Sequence, residues 1–336
     1  MTSMKVDWAQ RHEYVKRKLA AHHLQGLFEK LMPIIGTTLN GRWDILGLCD
    51  VGGQGLIWAA GDNTDGGKLA IVKMAFLPFH QQVSFGLTEI EAARRRIEHE
   101  ATILRSFSGT ILPQLYGLVY ASNPLHLPQR GENVVANEPF IVMEFMQGET
   151  LDRRSRALYH HASPLYGRLE ALALLAACEL LSFFQSMFRN GEGYLYADLR
   201  PNNILVSEDT NHPIRLLDAG SVVSAHPQPG RIPPHSLAFL PPDHYADFSK
   251  GRHRWPTPSS VIYALGKTLH QVLTNREPIP GEHPSFIDPV LQCYSEQLVK
   301  CVDGMICSLY NDFDSWRSIT EKLIRLRVVS GNAPSM

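Results

Sequence analysis

The sequence predicts an α+β protein, with strands gathered in its first half and helices in its second. Three observations carry this. Between residues 43 and 146, short β-branched and aromatic runs alternate with glycine-rich or polar turns, as strands do. From residue 165 onward, apolar residues recur at helical spacing. The change of character falls near Gly148. Three blocks result: a helical extension over residues 1–40, a strand-rich lobe over 41–148 and a mainly helical lobe over 149–330.

In order, residues 5–32 place Leu19, Leu24, Leu27 and Leu31 at helical spacing among many charges, which predicts one or two amphipathic helices. Such an extension could cap the strands, regulate them or dock a partner. WDILGLCD and GLIWAA read as two strands around a glycine turn, and KLAIVKMAF as a third. Residues 88–107, TEIEAARRRIEHEATILRSF, have strong helical period. LPQLYGLVYA and PFIVMEFM are two more strands, with a loop over 121–138 between them. After GETL, residues 165–189 are helical, and the short strands NILV and IRLLD follow. Residues 219–258, rich in Pro, His and Gly and without period, read as a long ordered loop or a mobile segment. Helical patterning returns over 259–275 and 290–327.

The 336 residues fit one large two-lobed domain or two average ones, and 44% apolar content suffices for a sizeable core. A net charge of −1, with no strongly basic half, argues against a nucleic-acid partner. ARRRIEH, residues 93–99, is then the solvent face of a helix. Five scattered cysteines without a CxxC pair predict reduced thiols in a cytoplasmic protein. The charged start MTSMKVDWAQRHEYVKRK does not read as a secretory leader. ALALLAACELLSFFQSMF, residues 171–188, contains Glu179 and Gln185 and predicts a buried core helix rather than a membrane span. His160, His161, His226, His235, His244 and His253 lack ligand spacing and are expected at the surface, not around a metal.

Four stretches carry chemistry. In DVGGQGLIWAA, residues 50–60, glycines between strands let backbone N–H groups approach a phosphate, although an ordinary glycine hairpin has the same pattern. Lys73 follows the apolar run LAIV, so its charge needs a partner. The helix at 88–107 offers Glu89, Glu91, Glu98 and Glu100, and spacing favours Glu100 as that partner. In YADLRPNNIL, residues 196–205, Asp198 precedes Asn203 by five residues, and Asp218 ends IRLLD fifteen further on. Carboxylate and amide oxygens are hard ligands suited to magnesium. Asp198 is then available to accept or orient the proton of an attacking hydroxyl, and Arg200 to steady a phosphate. An Asx-rich turn capping a strand explains Asn202 equally well, but not the DAG that comes one strand later.

In this order, over about residues 43–327, the motifs resemble the eukaryotic-type protein kinase superfamily in its bacterial-looking forms. Gly52 and Gly55 match the second and third glycines of the family's loop, IVK supplies its strand lysine, and Glu100 fits the helix partner. FIVMEFMQGETL looks like the fifth strand and hinge, with Met143 as gatekeeper and Glu144 to Met146 offering backbone to adenine. YADLRPNNIL stands where the family has HRDLKPxNIL, LDAG where it has DFG, and SLAFLPPD, residues 236–243, where it has TPGYMAPE. VIYALGKTLHQVLTNREP is similar to the long central helix of the second lobe.

The resemblance implies a two-lobed kinase-like fold and Mg2+- or Mn2+-dependent transfer of the ATP γ-phosphate to a Ser/Thr hydroxyl of a protein or peptide. It assigns catalysis to Asp198, Arg200, Lys73 and Glu100, and metal binding to Asn203 and Asp218. It puts Gly52, Gly53, Gly55, Ile57, Lys73, Met143, Glu144 and Met146 around the nucleotide. Ser236 points to Ser/Thr acceptors, and neither nucleic acid nor membrane is an expected partner. There are departures. Asp50 replaces the loop's first glycine, Tyr196 and Ala197 replace His-Arg, and Ala219 replaces the phenylalanine of DFG. Arg200 replaces lysine, Asp243 the glutamate of the APE motif, and Val261 an aspartate that bonds the catalytic-loop backbone. They open a second reading, a pseudokinase that binds nucleotide as a regulatory or scaffold module. A small-molecule kinase is a third reading, disfavoured by SLAFLPPD and the long helix.

Overall fold

Alternation of side chains along the strands decides which face of the first sheet is buried against what. The computed structural model describes residues 7–21, 26–52, 55–75, 87–121, 138–189, 192–228, 232–307 and 313–330. The chain divides into two units, residues 1–109 with 113–146, and residues 110–112 with 147–336.

The first unit runs α1 (Trp8–Ala21), α2 (Leu27–Leu31), β1 (Thr38–Leu39), β2 (Trp43–Gly52), β3 (Gly55–Asp62), β4 (Lys68–Ala75), α3 (Leu87–Ser106), β5 (Leu115–Ala121) and β6 (Glu138–Glu144). Its sheet has the order β1-β2-β3-β4-β6-β5, and every pair is antiparallel. Leu56, Trp58, Ala60, Ala70, Val72, Met74, Phe140 and Val142 all sit at even positions and share one face. That face packs on Val15, Leu19, Leu27, Phe28 and Leu31, so the N-terminal helices cover the sheet. Each such side chain contributes roughly 1.5–3 kcal/mol on full burial. β2 reaches the same core at Trp43, Ile45, Leu48 and Val51, a spacing of two and then three. Register shifts at Ile45/Gly47 and Leu48/Asp50 account for this, because each bulge inserts one residue and restores the buried face. The opposite face carries the cross-strand neighbours Ile57, Lys73 and Ile141.

The second unit contains β7 (Gly148–Thr150), α4 (Leu151–Tyr159), α5 (Tyr166–Met187), β8 (Phe188–Arg189), β9 (Glu192–Tyr196), β10 (Ile204–Ser207), β11 (Ile214–Leu216), β12 (Val222–Ser224), α6 (Pro242–Phe248), α7 (Pro258–Thr274), α8 (Glu296–Ile306) and α9 (Phe313–Ser330). The strands form two small sheets, β11-β10-β7 and β12-β9-β8. α7 is the axis of this unit, buried from Ser260 to Thr274. Thr257 and Ser260 close a reciprocal capping box at its start, and left-handed Asn275 (φ 55°) ends it. Among the described residues, α5 is the one helix long and apolar enough to cross a membrane, and 67% of that apolar stretch is buried inside the protein.

One expectation about the elements needs correction. Residues 219–258 are not one loop, since they hold β12 and α6. Three- and seven-residue elements are too short to show a period. The helical patterning expected over 290–327 is borne out by α8 and α9, which a 3-10 turn over Pro289–Cys293 precedes. The expected 121–138 loop lies almost entirely outside the described residues.

Candidate active site

In the first unit, Lys73 is 6% exposed, on the face of β4 that carries Ile57 and Ile141. Its ammonium meets Glu100 of α3 at 2.8 Å (Oε2) and 2.9 Å (Oε1), with both side chains buried. Arg94, earlier on α3, donates to Glu138 of β6 at 2.6 Å and holds the helix against the sheet. Arg94 is therefore not a purely solvated residue of the ARRRIEH face. Glu91 pairs with Arg95 at the surface (3.6 Å), and Glu98 accepts from the Tyr120 hydroxyl (3.0 Å). The side chain of Glu89 lies outside the described residues.

Gly52 faces Gly55 in register, and Gly53 lies outside the described residues. Gly55 has a packing reason of its own: a Cβ there would lie 2.5 Å from the Met74 carbonyl oxygen. Ile57 is half-buried beside Lys73. Met143 is buried on β6. The Glu144 N–H donates to the Gln114 carbonyl (2.9 Å), and its carboxylate accepts the Gln114 N–H (3.0 Å). Met146, half-buried, ends the unit. Asp50 is paired: its Oδ1 accepts from Lys18 Nζ of α1 at 2.7 Å.

In the second unit, two antiparallel strand pairs seat two turns side by side. β9 pairs with β12 through Tyr196 and Val222, while β10 pairs with β11 through Ile204 and Leu216. The turns 197–203 and 217–221 between them are joined by Ala197 N–H to the Ser221 carbonyl (2.8 Å) and Leu217 N–H to the Asn203 carbonyl (2.9 Å). Asp198 and Asn203 on one turn and Asp218 on the other are thus brought together. Asn203 Nδ2 donates to the Asp198 carbonyl (2.8 Å) and to Asp198 Oδ2 (3.2 Å). That orientation turns the Asn203 Oδ1 acceptor the other way. Asp198 Oδ1 is buried with no hydrogen-bond partner among the described residues. A buried orphan carboxylate oxygen is costly, and a proton or a cation placed there would relieve it. Arg200 Nε is 3.7 Å from Asp198 Oδ2. Ser221 Oγ donates to Asp218 Oδ2 at 2.7 Å.

This donor set fits a magnesium ion. Two protein oxygens, Asp218 and Asn203 Oδ1, match an ion that takes one or two protein ligands and completes its shell with phosphates and water. Among the described residues no group of three His, Cys, Asp or Glu could hold a metal by itself. Tyr196, fully buried beneath these turns, has its hydroxyl pushed well above 10, first by desolvation and then by the charges of Asp218 and Asp198. It stays a neutral phenol next to two carboxylates.

Beside Asp198 a cleft opens, lined by Ala197, Leu199, Pro233, Ser236, Phe239 and Val261, with Arg252 and Arg254 at its edge. His235 and His253 pack edge-on against Phe248 there, at 5.1 and 5.4 Å. His244 is buried, unlike the surface position expected, and desolvation lowers its pKa. Ser221 and Lys267 are two shaping residues that the motifs do not point to. The Lys267 ammonium, 1% exposed on α7, donates to the carbonyls of Ala238 (2.8 Å) and Ile279 (3.1 Å). Its signal was present all along, a lysine in an apolar run, as at Lys73.

No protein-family model matches the chain. It is 27% identical over 146 residues to the serine/threonine-protein kinase PknB of Mycolicibacterium smegmatis, covering 44% of this chain and 21% of that protein. The relatives of this chain are serine/threonine protein kinases. PknB of Mycobacterium tuberculosis matches over the same length at 27%. PknA of Mycobacterium tuberculosis is 24% identical over 258 residues, 75% of this chain and 51% of that kinase. The chain thus matches about a fifth of PknB and half of PknA. Such distant similarity supports kinase-type phosphotransfer at the level of the superfamily.

Proposed function

We propose that this protein has a two-lobed kinase-like fold, with residues 41–148 and 149–330 as its lobes, and transfers the γ-phosphate of ATP to a Ser or Thr hydroxyl of a protein or peptide. The observation that carries this reading is the seating of Asp198, Asn203 and Asp218 on adjoining turns, with Asp198 Oδ1 left without a partner among the described residues. The buried Lys73–Glu100 pair supports it from the other unit. In the reaction, the acceptor oxygen bonds to the γ-phosphorus as the bond to the β,γ-bridging oxygen breaks. ADP leaves, and the hydroxyl proton passes to the Asp198 carboxylate. Asn203 holds Asp198 in place for that proton, and Arg200 offers charge to the transferring group. Glu100 orients Lys73 towards the α- and β-phosphates. Gly52, Gly53, Gly55 and Ile57 would cover the nucleotide, with Met143, Glu144 and Met146 at the adenine. A magnesium or manganese ion on Asn203 and Asp218 supplies positive charge against the phosphates when bound. Free thiols at all five cysteines fit a cytoplasmic setting.

Val261 favours a second reading, a nucleotide-binding module with little transfer. Among the described residues no α7 side chain bonds the 197–200 backbone, where the family has an aspartate to do so. One assay separates the two. Purified wild type and Asp198→Asn are incubated with radiolabelled ATP, Mg2+ or Mn2+ and a peptide library containing Ser and Thr. Metal-dependent labelling by wild type alone is the expected result. Wild-type labelling no higher than that of the variant, with ATP bound, would overturn the protein-kinase reading.

A further inference from the structure

The helix α1 grips the strand leading into the glycine turn residue by residue. The Trp8 indole occupies the place of a Gly47 side chain. The Leu48 N–H donates to His12 Nε2 at 3.3 Å. Arg11 Nε donates to the Cys49 carbonyl at 2.6 Å. Lys18 Nζ donates to Asp50 Oδ1 at 2.7 Å. Four consecutive residues of β2 are thus held by one helix. The two bulges of β2 make this possible, since a bulge leaves backbone groups unpaired in the ladder.

Asp50 lies two residues before Gly52, on the strand that enters the turn. A lone carboxylate there would oppose an anionic ligand at the turn. Lys18 and Asp50 are about a third exposed, so the pair itself adds little stability. Its effect is on where charge sits. We propose that Lys18 is a positioning residue for nucleotide binding: held by α1, it neutralises Asp50 so that the phosphates of ATP can approach Gly52. The N-terminal extension is then part of the nucleotide site's support. This rests on the nucleotide-binding reading above.

The test measures the Kd of Mg-ATP by titration calorimetry for wild type, Lys18→Gln, Asp50→Asn and the double variant, with melting curves to check folding. Lys18→Gln leaves one net negative charge at the strand and is expected to weaken binding about fivefold, an effect that shrinks in about 0.5 M salt. The double variant is neutral again and is expected to return to within about twofold of wild type. Lys18→Gln binding as tightly as wild type would overturn the proposal. So would a loss that Asp50→Asn does not repair, because Lys18 would then act by packing. Wild type binding no Mg-ATP at all would sink the nucleotide reading together with this one, whereas tight wild-type binding with an indifferent Lys18 sinks this one alone.

Discussion

Lys267 offers a measurable cost of burial. Its ammonium is enclosed on α7, and desolvation pushes its pKa from the ordinary 10.5 down to about 8, with Glu282 opposing part of that shift. Below pH 8 the lysine is charged in the folded and the unfolded chain. Between about pH 8 and 10.5 the unfolded chain keeps a proton that the folded chain has lost, so stability rises with pH. Above 10.5 the gain is complete. At about 1.4 kcal/mol per pH unit, the gap between 10.5 and about 8 is worth roughly 3 kcal/mol. Lys267→Met removes this dependence, and also the bonds to Ala238 and Ile279, at about 1–3 kcal/mol for each carbonyl left without a donor. The assay is urea unfolding of both proteins from about pH 7 to 11, taking the difference at each pH so that other titrating groups cancel. Wild type should gain roughly 3 kcal/mol over the variant across that range. A difference that stays flat would refute the claim that Lys267 is buried as a charged group at neutral pH.

Two further outcomes test the first unit. Glu100→Gln keeps the shape but removes the carboxylate that meets Lys73 at 2.8 Å, and urea unfolding should show a loss of about 3 kcal/mol, as for other buried pairs deprived of one partner. Gly55→Ala places a methyl 2.5 Å from the Met74 carbonyl oxygen and should cost about 1–3 kcal/mol in the same measurement, whereas Gly61→Ala, whose nearest contact is 3.6 Å, should be neutral or slightly stabilising.

How far the sequence could be read depended on the length of each pattern. The strands β2, β3, β4 and β6 are legible because their β-branched and aromatic runs of seven to ten residues are bounded by turn residues, and α5 and α7 because their helical patterns exceed four turns. β12 and α6 are not, being too short to repeat. Lys73, Glu100, Asp198 and Asn203 stood out because charged and amide groups next to apolar runs need partners. Spacing along the helix already favours Glu100 as the partner of Lys73, and the family resemblance supplies the roles of the others. The pairing of Lys18 with Asp50 was invisible, since it joins positions 32 residues apart through two bulges that no local pattern announces. The role of α1 and α2 was hidden for the same reason. Their leucines declare an apolar face, but not that the sheet's even-numbered face is what covers it.

The departures from the kinase pattern acquire a common logic once their neighbours are known. Asp50, which would add a negative charge to the glycine turn, meets Lys18 from α1. Asp243, shorter than the family's glutamate, is paired by Arg254. Val261 removes a carboxylate from α7, and six residues on the same helix presents Lys267, which reaches the carbonyl of Ala238. The polarity of the tie is reversed: a donor on α7 now holds an acceptor in the segment that includes Ser236, in place of an acceptor holding donors of the 197–200 turn. That turn is held instead by the Ala197–Ser221 backbone bond and by Asn203. Here other contacts stand in place of the family's supports, and Asp198 Oδ1 has no hydrogen-bond partner among the described residues. Lys267→Met tests the reversed tie in activity as well. If the segment from Ser236 to Leu240 presents the acceptor, the variant should raise the KM for peptide several-fold while the Kd for Mg-ATP stays within about twofold of wild type. An unchanged KM for peptide would mean that the reversed tie holds the fold and nothing more.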